Sequence, residues 1–325
     1  MSTTTTDIVV LRGTAHGMSS ERCAERLRDR RPDLEVELAR TPAAERELIT
    51  EAPIATGLRI DEELLAGADS LRLFACASAG VNHLPIDELE SRDIAVTNAS
   101  GVHAPNMAEH VLGNVLTFAR RLHQGWRRQS RNEWRHYRAG ELNGSTVTVV
   151  GMGPIGRRTL ELLAPFDVER IGVRYTPAKG GPADEVLGYS DDLHEAFMRS
   201  DYVVLACPLT DTTRGIIDEE AFRTLPPNAV VVNVARGAVV DTDDLLAALR
   251  GNEIRGAALD VTDPEPLPHD HPLWTLENVL ITPHNSGHTD EYWERHADIL
   301  VENLERIDDT GSYTGLENQV VTPDE

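Results

Sequence analysis

Three short segments each place one chemically useful side chain just past an apolar run. In Asn233-Val-Ala-Arg236-Gly237 a guanidinium stands on a strand-to-loop turn, where its fork can hold a carboxylate through two parallel bonds. In Leu259-Asp260-Val-Thr-Asp-Pro-Glu265-Pro the carboxylate of Glu265 sits between two prolines, in a stiff loop. In Ile281-Thr-Pro-His284-Asn-Ser-Gly a histidine follows a strand and a proline. Each alone has a plain explanation: a surface salt bridge, an acidic turn, a structural imidazole. Together they suit the reduction of a 2-oxo acid to its 2-hydroxy acid. Arg236 would bind the substrate carboxylate and help polarise the carbonyl. His284 would give and take the proton near neutrality, since an unperturbed imidazole titrates at about 6.5. Glu265 would favour the imidazolium and fix its orientation.

Such a reaction needs a reductant, and a fourth segment supplies a place for one. Thr146–Val150 is an almost wholly apolar strand that runs into Gly151-Met-Gly153-Pro154-Ile155-Gly156, and an amphipathic helix follows. G-x-G-x-x-G is weak evidence alone, but between a strand and a helix each glycine has a task. Gly151 makes the tight turn, Gly153 lets the backbone approach a pyrophosphate, and Gly156 permits close helix–strand packing. The helix N-terminus offers unpaired N–H groups to the phosphates. An NAD-preferring site carries an acidic residue about 20 residues further on, for the ribose 2′-hydroxyl. Here that strand ends in Val173-Arg174-Tyr175-Thr176-Pro177, and Lys179, the only lysine of the chain, follows. A carboxylate would repel a 2′-phosphate, whereas Arg and Lys attract it. The site is therefore expected to prefer NADP(H), with NAD(H) possible.

The elements that must position these groups follow from the apolar pattern. Asp7–Leu11, Leu34–Leu38, Leu71–Ala77 and Ala95–Asn98 read as strands, and Ser20–Arg30 as a helix opened by a serine with a Glu close behind. After a long helical pattern over Pro105–Arg121 come strands at 146–150, 170–175, 202–206, 229–233, 256–259 and 279–282. Helices are read at 157–164, 191–198 and 242–250, and a last one at about 289–307. This alternation predicts an α/β protein with parallel sheets and crossover helices, and 325 residues suit two domains.

Composition narrows the setting. The chain carries 54 acidic and 31 basic residues, a formal net charge of -23. Self-repulsion at that charge destabilises a compact state in dilute buffer, whereas in molar salt the Debye length falls to roughly 3 Å and screens it. The expectation is a protein of a high-salt cytoplasm that avoids nucleic acid and anionic membranes. Met1–Asp7 has neither the apolar core nor the basic flank of a secretory signal, and no apolar run approaches a membrane span. Cys23, Cys76 and Cys207 show no metal-ligand spacing and fit a reducing compartment as buried apolar groups; no metal is expected.

The glycine run, N-V-A-R-G, D-V-x-x-x-E-P and T-P-H-x-x-G occur together in this order, and the chain resembles the D-2-hydroxyacid dehydrogenases over nearly its whole length. The resemblance implies two Rossmann-like domains. A coenzyme domain (103–289) would be inserted into a discontinuous, flavodoxin-like substrate domain (1–102 and 290–325). It implies a homodimer built largely through the coenzyme domains, with the arginine-rich stretch Arg120–Arg138 in the dimer arm. It assigns carboxylate contacts to the backbone N–H groups of Ala79 and Gly80 in Ser78–His83. It assigns the nicotinamide carboxamide to Asp260 and the cofactor lining to Cys207-Pro208-Leu209-Thr210. Thr176 departs from the family's usual Asp. The alternative on the same fold is a non-catalytic, dinucleotide-sensing protein of co-repressor type. A formate-type oxidation would place Gln where Glu265 stands.

Overall fold

The computed structural model describes residues 6–190 and 192–323. The start of the N-terminal threonine run (1–5), Asp191, where the sequence pattern begins a helix, and residues 324–325 lie outside the described residues. The chain divides into two compact units, one made of the residues up to His103 and from His288 onward, the other of Ala104–Gly287. The sequence reading puts these crossings at 102/103 and 289/290.

The first unit holds a six-stranded sheet in the order Gln319–Val321, Ala95–Thr97, Leu73–Cys76, Ile54–Gly57, Ile8–Val10, Val36–Leu38. All neighbours are parallel except Gln319–Val321, which runs antiparallel to Ala95–Thr97. Numbered along the chain, the five parallel strands stand 2-1-3-4-5, the flavodoxin-like order. Ile8, Val9 and Val10 are all fully buried, as expected of a parallel strand covered on both faces. Helix Tyr292–Thr310 lies against helix Glu21–Arg30 and buries Trp293, whose Nε1 donates to Met18 O at 2.9 Å. Ser20 does not cap its helix; its Oγ donates to Leu11 O at 2.9 Å, because its backbone is already helical.

The second unit holds a seven-stranded, wholly parallel sheet. Its order is Glu185–Leu187, Glu169–Val173, Thr146–Val150, Tyr202–Leu205, Val230–Asn233, Gly256–Leu259, Val279–Ile281. Along the chain this is 3-2-1-4-5-6-7, a doubly wound sheet that reverses between Thr146–Val150 and Tyr202–Leu205. Ligands bind beyond the carboxyl ends of the strands at such a reversal. The register aligns Val150, Leu205, Asn233, Leu259 and Ile281 in one row across the sheet. The loops that follow these five residues therefore leave from one edge. They contain the glycine run, Arg236, Glu265 and His284.

Candidate active site

The glycine loop is shaped by close approach. Gly151 has φ +98°, and a Cβ there would lie 2.6 Å from the backbone N and Cα of Cys207, so the loops after the two central strands touch. A Cβ on Gly156 would meet Gly151 O at 1.9 Å. A Cβ on Gly153 would meet nothing within 4 Å. The first two glycines thus serve the fold, while the third leaves open the side from which a ligand approaches. The helix begins at Pro154, three residues earlier than the sequence pattern suggests, because Pro at the first helical position sacrifices no hydrogen bond.

Beside this loop lies a cavity of about 510 Å³ lined by Gly151, Gly153, Arg174, Tyr175, Thr176, Lys179, Pro208 and Thr210. Met152, Tyr189, Thr212 and Thr213 also line it, and sequence reasoning missed all four. Pro154, Ile155 and Gly156 belong to the helix and do not line the cavity. Neither does Cys207, whose side chain turns into the core next to Tyr189 and is 3% exposed. Burial pushes its thiol up to about 11. Arg174 donates from Nη1 to Gly180 O at 2.8 Å, and Lys179 is exposed. Arg157, also missed, places Nη1 3.7 Å from the Cβ position of Gly181, over the same turn. Among the described residues, none of these three cations forms an ion pair. An open glycine cradle next to a cavity with unpaired cations fits the phosphates of a dinucleotide.

At the far side of the reversal, His284 Nδ1 and Glu265 Oε1 lie 2.6 Å apart, with both side chains about half exposed. His284 occupies the left-handed region (φ +51°), and its N–H donates to Asp260 O at 2.8 Å. Arg236 is exposed on extended backbone, and its Nη1 donates to Ala235 O at 2.6 Å. Among the described residues it makes no ion pair, so the salt-bridge explanation of this side chain does not apply. Its turn is pinned by Asn233, which is 1% exposed. Asn233 Nδ2 donates to Arg236 O at 3.0 Å, and its Oδ1 accepts from Ala235 N–H at 3.0 Å. Gly237 allows the Arg236 turn to press on the loop that carries Glu265: a Cβ there would lie 2.0 Å from Thr262 O.

Asp260 is 2% exposed. Its Oδ1 accepts from Thr282 Oγ1 at 2.5 Å and from Asn285 N–H at 2.8 Å, and its Oδ2 accepts from Ser286 N–H at 2.9 Å. Burial alone would raise this carboxyl, but the surrounding groups of Ser286, Thr282 and Asn285 outweigh it and hold the pKa below the ordinary value. Both oxygens thus face the turn that presents His284, whereas the resemblance gives this residue to the cofactor. Asn233 and Thr282 are supports that the sequence did not reveal. In the first unit, the loop after Leu73–Cys76 keeps Ala79 and Gly80 exposed, and Asn98 Nδ2 fixes it through Ala79 O at 2.9 Å. Among the described residues, no group of three or more His, Cys, Asp or Glu could hold a metal ion. Among them, too, no helix is long and apolar enough to cross a membrane.

The model for the NAD binding domain of D-isomer specific 2-hydroxyacid dehydrogenases matches residues 112–286. The chain is 35% identical over 254 residues to a glyoxylate reductase of Thermofilum pendens, covering 76% of this chain and 74% of that protein. It is 36% identical over 233 residues to human glyoxylate reductase/hydroxypyruvate reductase, covering 69% and 70%. A solved D-isomer specific 2-hydroxyacid dehydrogenase from Xanthobacter autotrophicus Py2, in complex with NADPH and MES, superposes with a TM-score of 0.75. The two are 30% identical, over 97% of this chain and 98% of the other. With this order of motifs and these matches, the chain belongs to the D-isomer specific 2-hydroxyacid dehydrogenase family.

Proposed function

We propose that this chain reduces a small 2-oxo acid to the D-2-hydroxy acid and uses NADPH in preference to NADH. The observation that carries the reading is the 2.6 Å contact between His284 Nδ1 and Glu265 Oε1, at the sheet edge that also carries the glycine cradle. With Nδ1 engaged, His284 presents Nε2 as the atom that gives its proton to the carbonyl oxygen. Glu265 holds the ring in that orientation and balances the imidazolium charge. Arg236 grips the substrate carboxylate, assisted by the N–H groups of Ala79 and Gly80. The bound dinucleotide supplies the hydride that reaches the carbonyl carbon. Gly151 and Gly153 admit its pyrophosphate, and Thr176, Arg174 and Lys179 take the 2′-phosphate in the absence of a carboxylate at the end of that strand. The Xanthobacter relative, solved with NADPH, shows that this fold can hold the phosphorylated dinucleotide.

Two further parts of the reading concern the setting. The arm around Arg120–Arg138 exposes Trp126 at 55% and Trp134 at 101%, an aromatic and arginine-rich surface of the kind that a second copy of the chain would cover. The three cysteines are free and buried, which fits a reducing cytoplasm, and the charge of -23 fits a high-salt one.

The test is a panel of glyoxylate, hydroxypyruvate, pyruvate and branched 2-oxo acids, followed by NADPH and NADH absorbance in molar KCl. At least one substrate should turn over, with the higher kcat/KM on NADPH. Equal or better use of NADH refutes the cofactor preference. Dinucleotide binding with no turnover on any 2-oxo acid favours the sensing protein instead.

A further inference from the structure

The arginine-rich stretch splits between two faces. Arg120, Arg128 and Arg135 surround a cavity with Trp134 and Tyr137, whereas Arg121 and Arg127 turn to a separate cavity of about 530 Å³. The walls of the second cavity also include Arg250, in the last turn of helix Thr242–Gly251, and Arg255, which immediately precedes strand Gly256–Leu259. Asn278, just before strand Val279–Ile281, closes it. These positions lie at the amino ends of the strands, the edge opposite the glycine run and His284.

Four guanidinium groups therefore line one cavity in a chain of net charge -23. Among the described residues, Arg121, Arg250 and Arg255 form no ion pair, and Arg127 donates to the backbone carbonyl of Glu277. The one carboxylate in the lining, that of Glu277, stands 3.8 Å from Arg131, which lies outside it. One buried donor in the wall lacks an acceptor: Nε of Arg255, whose guanidinium stacks 5.2 Å over the Tyr202 ring. His123 is 7% exposed and forms part of the cavity wall. A buried N–H donor without an acceptor is costly, and so is crowding like charges without a counter-ion. An acceptor-rich anion relieves both, and guanidinium forks match the oxygens of phosphate.

We propose that this cavity binds a compact phosphate polyanion, separate from the dinucleotide site and at the other end of the same sheet. Arg121, Arg127, Arg250 and Arg255 supply the charge, and Arg255 Nε gains its missing acceptor.

The experiment is calorimetric titration of the whole chain with inorganic pyrophosphate at fixed ionic strength. Saturating dinucleotide is present to fill the glycine cradle, and KCl of equal ionic strength is the control. One saturable site is expected. Arg255→Gln should weaken it at least tenfold, and so should Arg250→Gln, which replaces an exposed side chain that the fold does not need. Arg250→Gln should leave turnover unchanged in the absence of pyrophosphate. The proposal is overturned by the absence of saturable binding, or by binding that both variants retain. It is also overturned if the binding heat disappears as protein concentration rises, since carboxylates of a second copy would then fill the cavity.

Discussion

Replacing Asp260 by Asn separates a support for the His284 turn from a ligand of the cofactor. The Asn oxygen can keep Thr282 Oγ1 and Asn285 N–H, but its NH2 then faces Ser286 N–H, where Oδ2 had accepted at 2.9 Å. A bond to a charged acceptor contributes about 1.5–3 kcal/mol and a neutral one about 0.5–1.5, so losing one and weakening two costs about 4 kcal/mol. Removing a buried carboxylate returns part of this, because its desolvation penalty disappears, which leaves a net loss of about 2 kcal/mol. Urea denaturation followed by circular dichroism measures it. The carboxyl is held below its ordinary pKa, so its contribution is present above about pH 4 and fades as the pH falls through the folded value; the difference between wild type and variant should fade with it. The turn carries His284, and a displacement of about 1 Å can reduce rate a hundredfold. We expect kcat to drop between about tenfold and a hundredfold, with dinucleotide affinity within about twofold. Unchanged stability and kcat, with dinucleotide affinity down tenfold, would refute the supporting role and return Asp260 to the cofactor.

Other substitutions test neighbouring steps. Gly153→Ala adds a methyl group into open space, so stability should hold within about 0.5 kcal/mol while dinucleotide affinity falls at least tenfold; equal affinity in a fluorescence titration would show that no ligand approaches there. Gly237→Ala forces a Cβ to within 2.0 Å of Thr262 O and should cost stability by about 1–3 kcal/mol, measured by denaturation. His296, fully buried against Thr56 Oγ1, is pushed down to about 4 by burial. The unfolded chain therefore binds the proton first, and stability is lost as pH falls from about 6.5 towards 4. Between pH 7 and 5 wild type should lose about 2 kcal/mol more than His296→Gln, and equal losses would contradict the assignment. Thermal melts should rise with KCl up to molar concentration; a flat response would count against screening of the net charge as a source of stability.

Much of the second unit was legible because its strands are continuous apolar runs and its glycines fall where strand becomes helix. Gly256–Leu259 starts and ends where the apolar pattern does. In the first unit, Ile54–Gly57 was missed: its four residues lie between a proline and a Leu-Arg pair and end in glycine. Gln319–Val321 and Glu185–Leu187 were also missed, because short, partly exposed edge strands carry little apolar signal. Arg236, Glu265 and His284 were singled out from their places after strands. Asn233 and Thr282 were not, since a polar side chain that pins a turn looks like any loop residue until its bonds are seen. Cys207 shows the converse: a segment that lines the cavity beside the glycine loop through Pro208 and Thr210 was read as a whole, although alternate side chains of an extended segment point opposite ways.

The measurement that bears most directly on the proposed chemistry is turnover of a 2-oxo acid by His284→Gln, paired with a dinucleotide titration of the same variant. Loss of the proton donor should lower kcat at least about a hundredfold and leave dinucleotide affinity within about twofold. A variant that still turns over at the wild-type rate would contradict the assignment of His284, and with it the pairing of that imidazole with Glu265 as the acid–base device.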